Sequence, residues 1–320
     1  MPIRLIPIIL LTSLLAGCGP ATSAAREKAG KRGTIGVSLL TLENPFFKVI
    51  GDELTAEAAK HGFDTIVVSA DKDPARQGNQ MKDFIVAGVV AIVLSPCESR
   101  SIVPAVQEAD AAGIPVFTVD IPCREPGANI ACQIATDNLG GGREAGQAMI
   151  EALGQGGGEV ALLNYPPAES CRLRAKGFRE VIDKYNATAA KRIEIVTDLD
   201  SGGAKDQGYK AAEDSLQAYP ALRGIFAIND PAALGARAAL EKAGKARQVQ
   251  IIGFDGQLEG LQAIKDGKVY ADAIQFPDRM GVEVVRAIVK YSQGRELPPE
   301  MLIPTSLYRQ ADGLKDPRLK

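Results

Sequence analysis

Tryptophan is absent from the 320-residue chain, and histidine occurs once, as His61. A single imidazole cannot supply a His-rich zinc site or an iron facial triad, and any Ser/His/Asp triad would rest on His61 alone. His61 precedes Gly62 at the end of an amphipathic stretch and reads as a C-terminal helix residue. Excess charge of one sign is missing too. The 37 basic and 39 acidic side chains leave a formal net charge of -2, without the basic face or tail of a nucleic-acid binder. No GxxxxGK[ST] phosphate loop occurs. Gly140-Gly141-Gly142 lacks the strand context and the following acidic residue of a dinucleotide fingerprint, and a helix start capped by Asp137 or Asn138 accounts for it. What remains is ordinary globular composition, 46% hydrophobic with 33 glycines. At about 150 residues per domain, this length predicts two domains that each bury a core. Nothing calls for a cofactor or a metal.

The first residues read as an address. Arg4 precedes the apolar run Leu5 to Leu15, which has the length of a secretion signal and falls short of the roughly 20 residues of a bilayer span. The run ends in Leu15-Ala16-Gly17-Cys18, which resembles the bacterial lipobox, where small residues admit the peptidase and the cysteine thiol takes the lipid. Residues 1–17 are then a removable signal and Cys18 the lipidated first residue; an ordinary signal peptide followed by an incidental cysteine is the alternative. Residues 18–33, rich in Gly, Ala, Ser, Lys and Arg, read as a flexible tether. No second apolar run of spanning length follows, so the rest is an extracytoplasmic body held to a membrane by lipid alone.

That compartment is oxidising, which bears on Cys97, Cys123, Cys132 and Cys171. Cys123 and Cys132 are closest in sequence and bracket a Pro/Gly-containing loop, so a disulfide between them is the expected pairing. Free buried thiols are the alternative, and the spacing matches no CxxC motif.

From Thr34 onward, short β-branched apolar runs alternate with longer amphipathic stretches. Strands are predicted at Thr34 to Leu39, Thr65 to Ser69, Ala91 to Ser95 and Pro115 to Val119, with helices at Phe46 to His61, Pro74 to Ala87 and Ile102 to Ala112. A second series adds strands near Glu159, Ile193, Gly224 and Val249 and helices at Leu139 to Leu153, Arg172 to Tyr185, Lys205 to Ala218, Ala232 to Ala243 and Leu258 to Asp266. Repeated βαβ units imply parallel sheets covered on both faces, hence two Rossmann-like doubly wound α/β lobes with functional loops at the carboxyl ends of the strands.

Reading off those strand ends gives Asn44-Pro45-Phe46-Phe47, Asp120, Glu169 to Arg174, Asn229-Asp230, Gly253-Phe254-Asp255-Gly256 and Gln275. Carboxylates accept from pairs of hydroxyls, guanidinium and amides donate to oxygens, and phenyl rings cover C–H faces, so the set fits a neutral polyhydroxylated ligand. Taken singly, Asp120 and Asp255 also read as turn or cap residues, Arg172 and Arg174 as solvated helix residues, and Asn229 as a turn device. Their shared location at strand ends is what raises them.

From Thr34 to about Arg309 the chain resembles the ribose-type periplasmic binding proteins of ABC sugar importers. The likeness is carried by the segments just quoted, by Ala135-Thr136-Asp137-Asn138, by Ala233-Leu234-Gly235-Ala236 and by Gln275 before Pro277-Asp278. It implies the type I periplasmic binding protein fold and a ligand pocket formed by Asn44, Phe46, Phe47, Asp120, Arg172, Asn229, Asp255 and Gln275. It also implies three hinge crossings, so that residues 34–136 plus 276–303 form the N-terminal lobe and 137–275 plus 304–320 the C-terminal lobe. A monomeric, non-enzymatic receptor follows, which delivers a monosaccharide or polyol to an ABC permease. The rival readings are a sugar sensor for a chemoreceptor or histidine kinase, and an enzyme that uses Asp120 and Asp255 as paired carboxylates. Two departures from the ribose pattern stand out. Ile121 replaces an arginine, and Leu199 stands near the place of an aromatic ring, which argues for a ligand with an apolar edge toward Ile121.

Overall fold

The computed structural model describes residues 31–320; the signal-like run, Cys18 and most of the expected tether lie outside the described residues. The described chain opens with β1 (Thr34–Leu39), α1 (Pro45–Lys60), β2 (Asp64–Ser69), α2 (Pro74–Ala87), β3 (Ala91–Leu94), α3 (Val103–Ala111), β4 (Val116–Val119) and β5 (Cys132–Thr136). A second series follows: α4 (Asn138–Leu153), β6 (Gly158–Asn164), α5 (Glu169–Asn186), β7 (Ile193–Asp200), α6 (Lys205–Ala218), β8 (Leu222–Ala227), α7 (Asp230–Lys242), β9 (Gln250–Asp255), α8 (Leu258–Lys265) and β10 (Ala271–Ile274). The chain ends with α9 (Pro277–Ser292), β11 (Glu300–Ile303), β12 (Ser306–Arg309) and the short α10 (Gln310–Gly313).

Two six-stranded sheets result, ordered β11-β5-β4-β3-β1-β2 and β12-β10-β9-β8-β6-β7. The first is parallel throughout, and in the second only β12 runs antiparallel, against β10. Each sheet is a doubly wound α/β unit whose strand order reverses beside β1 and β6, the place where such folds bind ligands. The chain passes between the sheets at β5 to α4, β10 to α9 and β11 to β12. At these crossings, Thr136 donates to Gln275 Oε1 at 2.6 Å and Asp137 N–H donates to the Ile303 carbonyl at 2.9 Å.

Alternation along the strands explains why both sheet faces are covered. In the second sheet, Val160, Leu162, Phe226, Ile252 and Phe254 pack with Met149 of α4 and Phe178 of α5. Their neighbours Ala161, Leu163, Ile225 and Ile251 face Ala211 of α6, Ala233 of α7 and Leu261 of α8. In the first sheet Ile92, Leu94 and Val116 meet Met81, Phe84 and Val106 of α2 and α3, while Val37 and Val93 face the side on which α1 and α9 lie. Helix starts follow local chemistry. Asn44 and Asp73 accept the backbone N–H groups of Phe46 and Ala75 at 3.0 and 2.8 Å, each followed by a proline whose missing N–H costs nothing there.

The expected Cys123–Cys132 disulfide is not formed, and all four cysteines of the described residues are free and buried. Cys132 stands in β5 with its side chain in the core shared with α9, whereas Cys123 packs with the core on the α2–α3 side, where its thiol lies 3.2 Å from the Ser99 carbonyl. The pair is divided between separate apolar layers.

Candidate functional site

The carboxyl ends of both sheets face one another across a cleft. An inner cavity of about 40 Å³ opens there into an outer groove of about 930 Å³, and the two share Asn44, Phe46, Lys72, Asp255 and Gln275 among their walls. Of the residues singled out from sequence, Asn44, Phe46, Phe47, Asp120, Asn229, Asp255 and Gln275 line the inner cavity. Phe46 and Phe47 are buried at the start of α1 with their rings edge to face, centroids 5.4 Å apart. Asn229 caps α7 by accepting from Ala232 N–H at 3.0 Å and also donates to the Gly203 carbonyl at 3.1 Å, so its turn role and its place in the wall coexist.

Arg172 is the exception, and Arg174 takes its place. Residues two positions apart on an α-helix are separated by about 200° around the axis, so only one of the pair can face the cleft. That one is Arg174, which is 3% exposed and lines the cavity, whereas Arg172 does not. Its Nε donates to Asn138 Oδ1 at 2.7 Å, its Nη1 to the Ile228 carbonyl at 2.9 Å and to Asp255 at 3.2 Å, and its guanidinium stacks 3.8 Å over the Phe254 ring. Arg172 instead bonds the Pro166 carbonyl at 2.7 Å and pairs with Glu169, which also faces Arg124 of the first lobe at 3.6 Å. It belongs to the rim. Arg174 is set by close contact of α4 and α5: a Cβ on Gly142 would stand 2.2 Å from the Arg174 carbonyl oxygen, and one on Gly177 equally near that of Leu139.

The two aspartates of the cavity both stand at positive φ, 66° at Asp120 and 119° at Asp255, conformations that L residues seldom hold. Asp120 is the centre of a three-residue turn closed by Ile121 N–H to the Val119 carbonyl at 2.8 Å, with its own N–H bonded to Ile134. Its Oδ1 is buried without any hydrogen-bond partner. Burial pushes its pKa up to about 7, against the pull of Arg174 and with repulsion from Asp255 adding to it. Asp255 is better provided: Arg174 and Gln275 donate to Oδ1 and Gln257 to Oδ2, the Gln275 bond being 2.6 Å. Burial still raises its pKa, partly offset by Arg174 and those amides.

Ser170 and Cys171, from the quoted segment Glu169 to Arg174, also line the cavity, as do Lys72 and Tyr165, which the sequence did not point to. Tyr165 follows β6, so the strand-end rule applied to that strand would have found it. Lys72 lies in a loop whose Asp71 and Lys72 both have positive φ, which no motif announces. Its ammonium reaches over the cleft to the Gly202 carbonyl at 2.8 Å and sits 6.0 Å above the Tyr165 ring. Ile121 is in the wall as expected, whereas Leu199 packs against the α6–α7 core, so the aromatic surface on that side comes from Tyr165. Among the described residues no cluster of His, Cys, Asp or Glu could hold a metal ion.

Comparison with known proteins agrees with this geometry. The family described as periplasmic binding protein domain matches residues 35–296. The ribose import binding protein RbsB of Bacillus subtilis (strain 168) is 32% identical over 313 residues, covering 96% of this chain and 99% of its own length. A D-apiose import binding protein of Paraburkholderia graminis is 34% identical over 277 residues, 85% of this chain and 86% of its own. Among solved structures, an ABC transporter periplasmic solute binding protein of Actinobacillus succinogenes 130z with bound D-allose superposes with a TM-score of 0.80 at 25% identity, covering 89% of this chain and all of that one.

Proposed function

The chain belongs to the periplasmic binding protein domain family, and from that premise we propose that it captures a neutral monosaccharide or polyol between its two lobes and delivers it to an ABC importer. The observation that carries the reading is Asp120 Oδ1, a buried acceptor in the cavity wall with no partner in the protein. Leaving such a group unpaired costs about 1–3 kcal/mol, which a ligand hydroxyl recovers. Asp255, Arg174 and Asn229 stand opposite on the second lobe, and Phe46, Phe47 and Tyr165 offer ring surface for C–H faces. The relatives are import binding proteins for ribose and apiose rather than enzymes.

Lobes of residues 34–136 with 276–303 and 137–275 with 304–320 close on the ligand as two bodies, and the importer reads the closed shape. The chain acts as a monomer, tethered by lipid on Cys18; Cys18→Ser abolishes palmitate labelling if so, and persistent labelling refutes the anchor. Ile121 favours a sugar with an apolar edge on that side.

The test is calorimetric titration with D-ribose, D-apiose, D-allose, deoxy sugars and polyols. The reading expects micromolar or tighter binding, near -8 kcal/mol, of at least one of them, together with compaction in solution scattering. Absence of binding across the panel overturns it, and tight ribose binding without preference for a less hydroxylated sugar overturns the Ile121 argument alone.

A further inference from the structure

Behind the cavity wall two further carboxyl groups are buried. Asp230 opens α7 and Asp272 lies in β10, 1% and 0% exposed. Asp230 Oδ2 accepts Gln257 N–H at 2.7 Å, and Asp272 Oδ2 accepts Gly256 N–H at 2.9 Å. These donors belong to the two residues directly after Asp255, where φ is positive at both Asp255 and Gly256. The remaining oxygens converge: a Cβ on Gly253 would lie 3.3 Å from Asp272 Oδ1 and 3.5 Å from Asp230 Oδ1. Asp272 Oδ1 has no hydrogen-bond donor. Gly260 of α8 makes room on the other side, where a Cβ would stand 2.0 Å from Asp230 Oδ1.

We propose that Asp230 and Asp272 share one proton and, as a hydrogen-bonded pair, are positioning residues that hold the turn carrying Asp255 into the cavity. The shared proton satisfies the orphan oxygen of Asp272, and two bare carboxylates in that space would repel each other out of the turn. The charged groups acting on the pair are Asp255 from β9, which repels, and Arg174 from α5, which attracts. From the other packed elements, α7 buries Ala232 and Ala233 beside Asp230, and α8 buries Gly260, Leu261 and Ile264. Opposite Asp272 in β12 stands Tyr308, whose hydroxyl is turned to Asp316 at 3.0 Å. Burial raises both carboxyls above the ordinary range, helped at Asp230 by repulsion from Asp272 and Asp255 and at Asp272 by repulsion from Asp255, while the hydrogen bond with Asp230 draws Asp272 part of the way back. The effect on ligand affinity rests on the sugar-binding reading above; the shared proton does not.

The experiment is a carbon-13 carboxyl titration of Asp-labelled protein from about pH 4 to about pH 9, run beside thermal unfolding over the same range. The wild type is expected to show a protonated carboxyl of this pair persisting at neutral pH. Asp272→Asn keeps an acceptor for Gly256 N–H and supplies a donor to Asp230, so the protonated signal vanishes and the unfolding temperature depends less on pH. With whichever of D-ribose, D-apiose and D-allose binds, Asp272→Asn retains affinity within about threefold, and Asp272→Ala loses about tenfold or more. Both carboxyls ionised in the wild type at neutral pH, or equal behaviour of the Asn and Ala variants, overturns the proposal. If Asp272→Ala fails to fold, the wild-type titration still decides. If none of the sugars binds, the sugar reading falls and the titration alone judges the pair.

Discussion

Thr136 and Gln275 lie on two different crossings between the sheets, and the threonine hydroxyl donates to Gln275 Oε1 at 2.6 Å. The other end of the same amide donates to Asp255 Oδ1 at 2.6 Å. One side chain thus joins a hinge strand to a cavity carboxylate. Thr136→Val preserves shape and removes the donor, leaving a buried carbonyl oxygen unpaired, so unfolding free energy drops by about 1–3 kcal/mol in a denaturant titration. Sugar affinity weakens as well, because Gln275 is then free to turn; a variant equal to wild type in both respects would show the bond to be idle.

Arg174 and Arg172 are separable by titration. Arg174→Met strips four contacts from buried partners and is expected to cost about 3–5 kcal/mol of stability and nearly all ligand affinity. Arg172→Ala, at the rim, shifts affinity by about threefold or less. The reverse ranking in calorimetry would place the ligand at the rim.

Asp120 carries a pH signature. Its folded pKa is about 7 against an ordinary value of 3.8, so between those values the folded chain holds a proton that the unfolded chain has released. Stability from this group is therefore fully present below the lower value and lost as pH rises toward the upper one. The ligand-free unfolding temperature should fall over that interval, and Asp120→Asn should flatten the slope while weakening sugar binding at least about tenfold, about 1.4 kcal/mol. An unchanged slope would falsify the assignment.

Gly142→Ala drives a methyl group into the Arg174 carbonyl. Overpacking of this kind costs about 1–3 kcal/mol, and here it also displaces the guanidinium from Asp255. Calorimetry is expected to record weaker binding together with a lower unfolding temperature, while Gly78→Ala, at an open site inside α2, leaves binding unchanged and raises the unfolding temperature slightly.

With all four cysteines of the described residues free and buried, dithiothreitol leaves the unfolding temperature unchanged, and alkylation under denaturing, non-reducing conditions labels Cys97, Cys123, Cys132 and Cys171. A drop in stability on reduction would reinstate a disulfide.

The βαβ order was legible because it rests on local signals: alternating apolar residues in β1, Pro74 behind an aspartate cap in α2, the amphipathic period of α6. β5, β10, β11 and β12 were not, since, unlike the β-branched apolar runs of β3 and β4, they interleave polar residues such as Gln133, Asp272, Glu300 and Arg309 with few apolar ones. The cavity was legible wherever a residue follows a strand, as at Asp120, Asn229 and Asp255. It failed at Arg172, where the phase of α5 decides, and at Lys72, which a strained loop carries over the cleft. The cysteine pairing failed because nearness in sequence says nothing about which side of a sheet each thiol faces.

The last strands of the chain, β11 and β12, close opposite sheets. No single cut can therefore divide the molecule into its two halves, and a chain emerging from its start holds both sheets one strand short until its final stretch appears. A fragment that stops before Glu300 exposes β5 and β10 as open edges, the kind that pair with other chains. Truncation at this end thus endangers both lobes together, as a hazard of aggregation rather than the loss of one module.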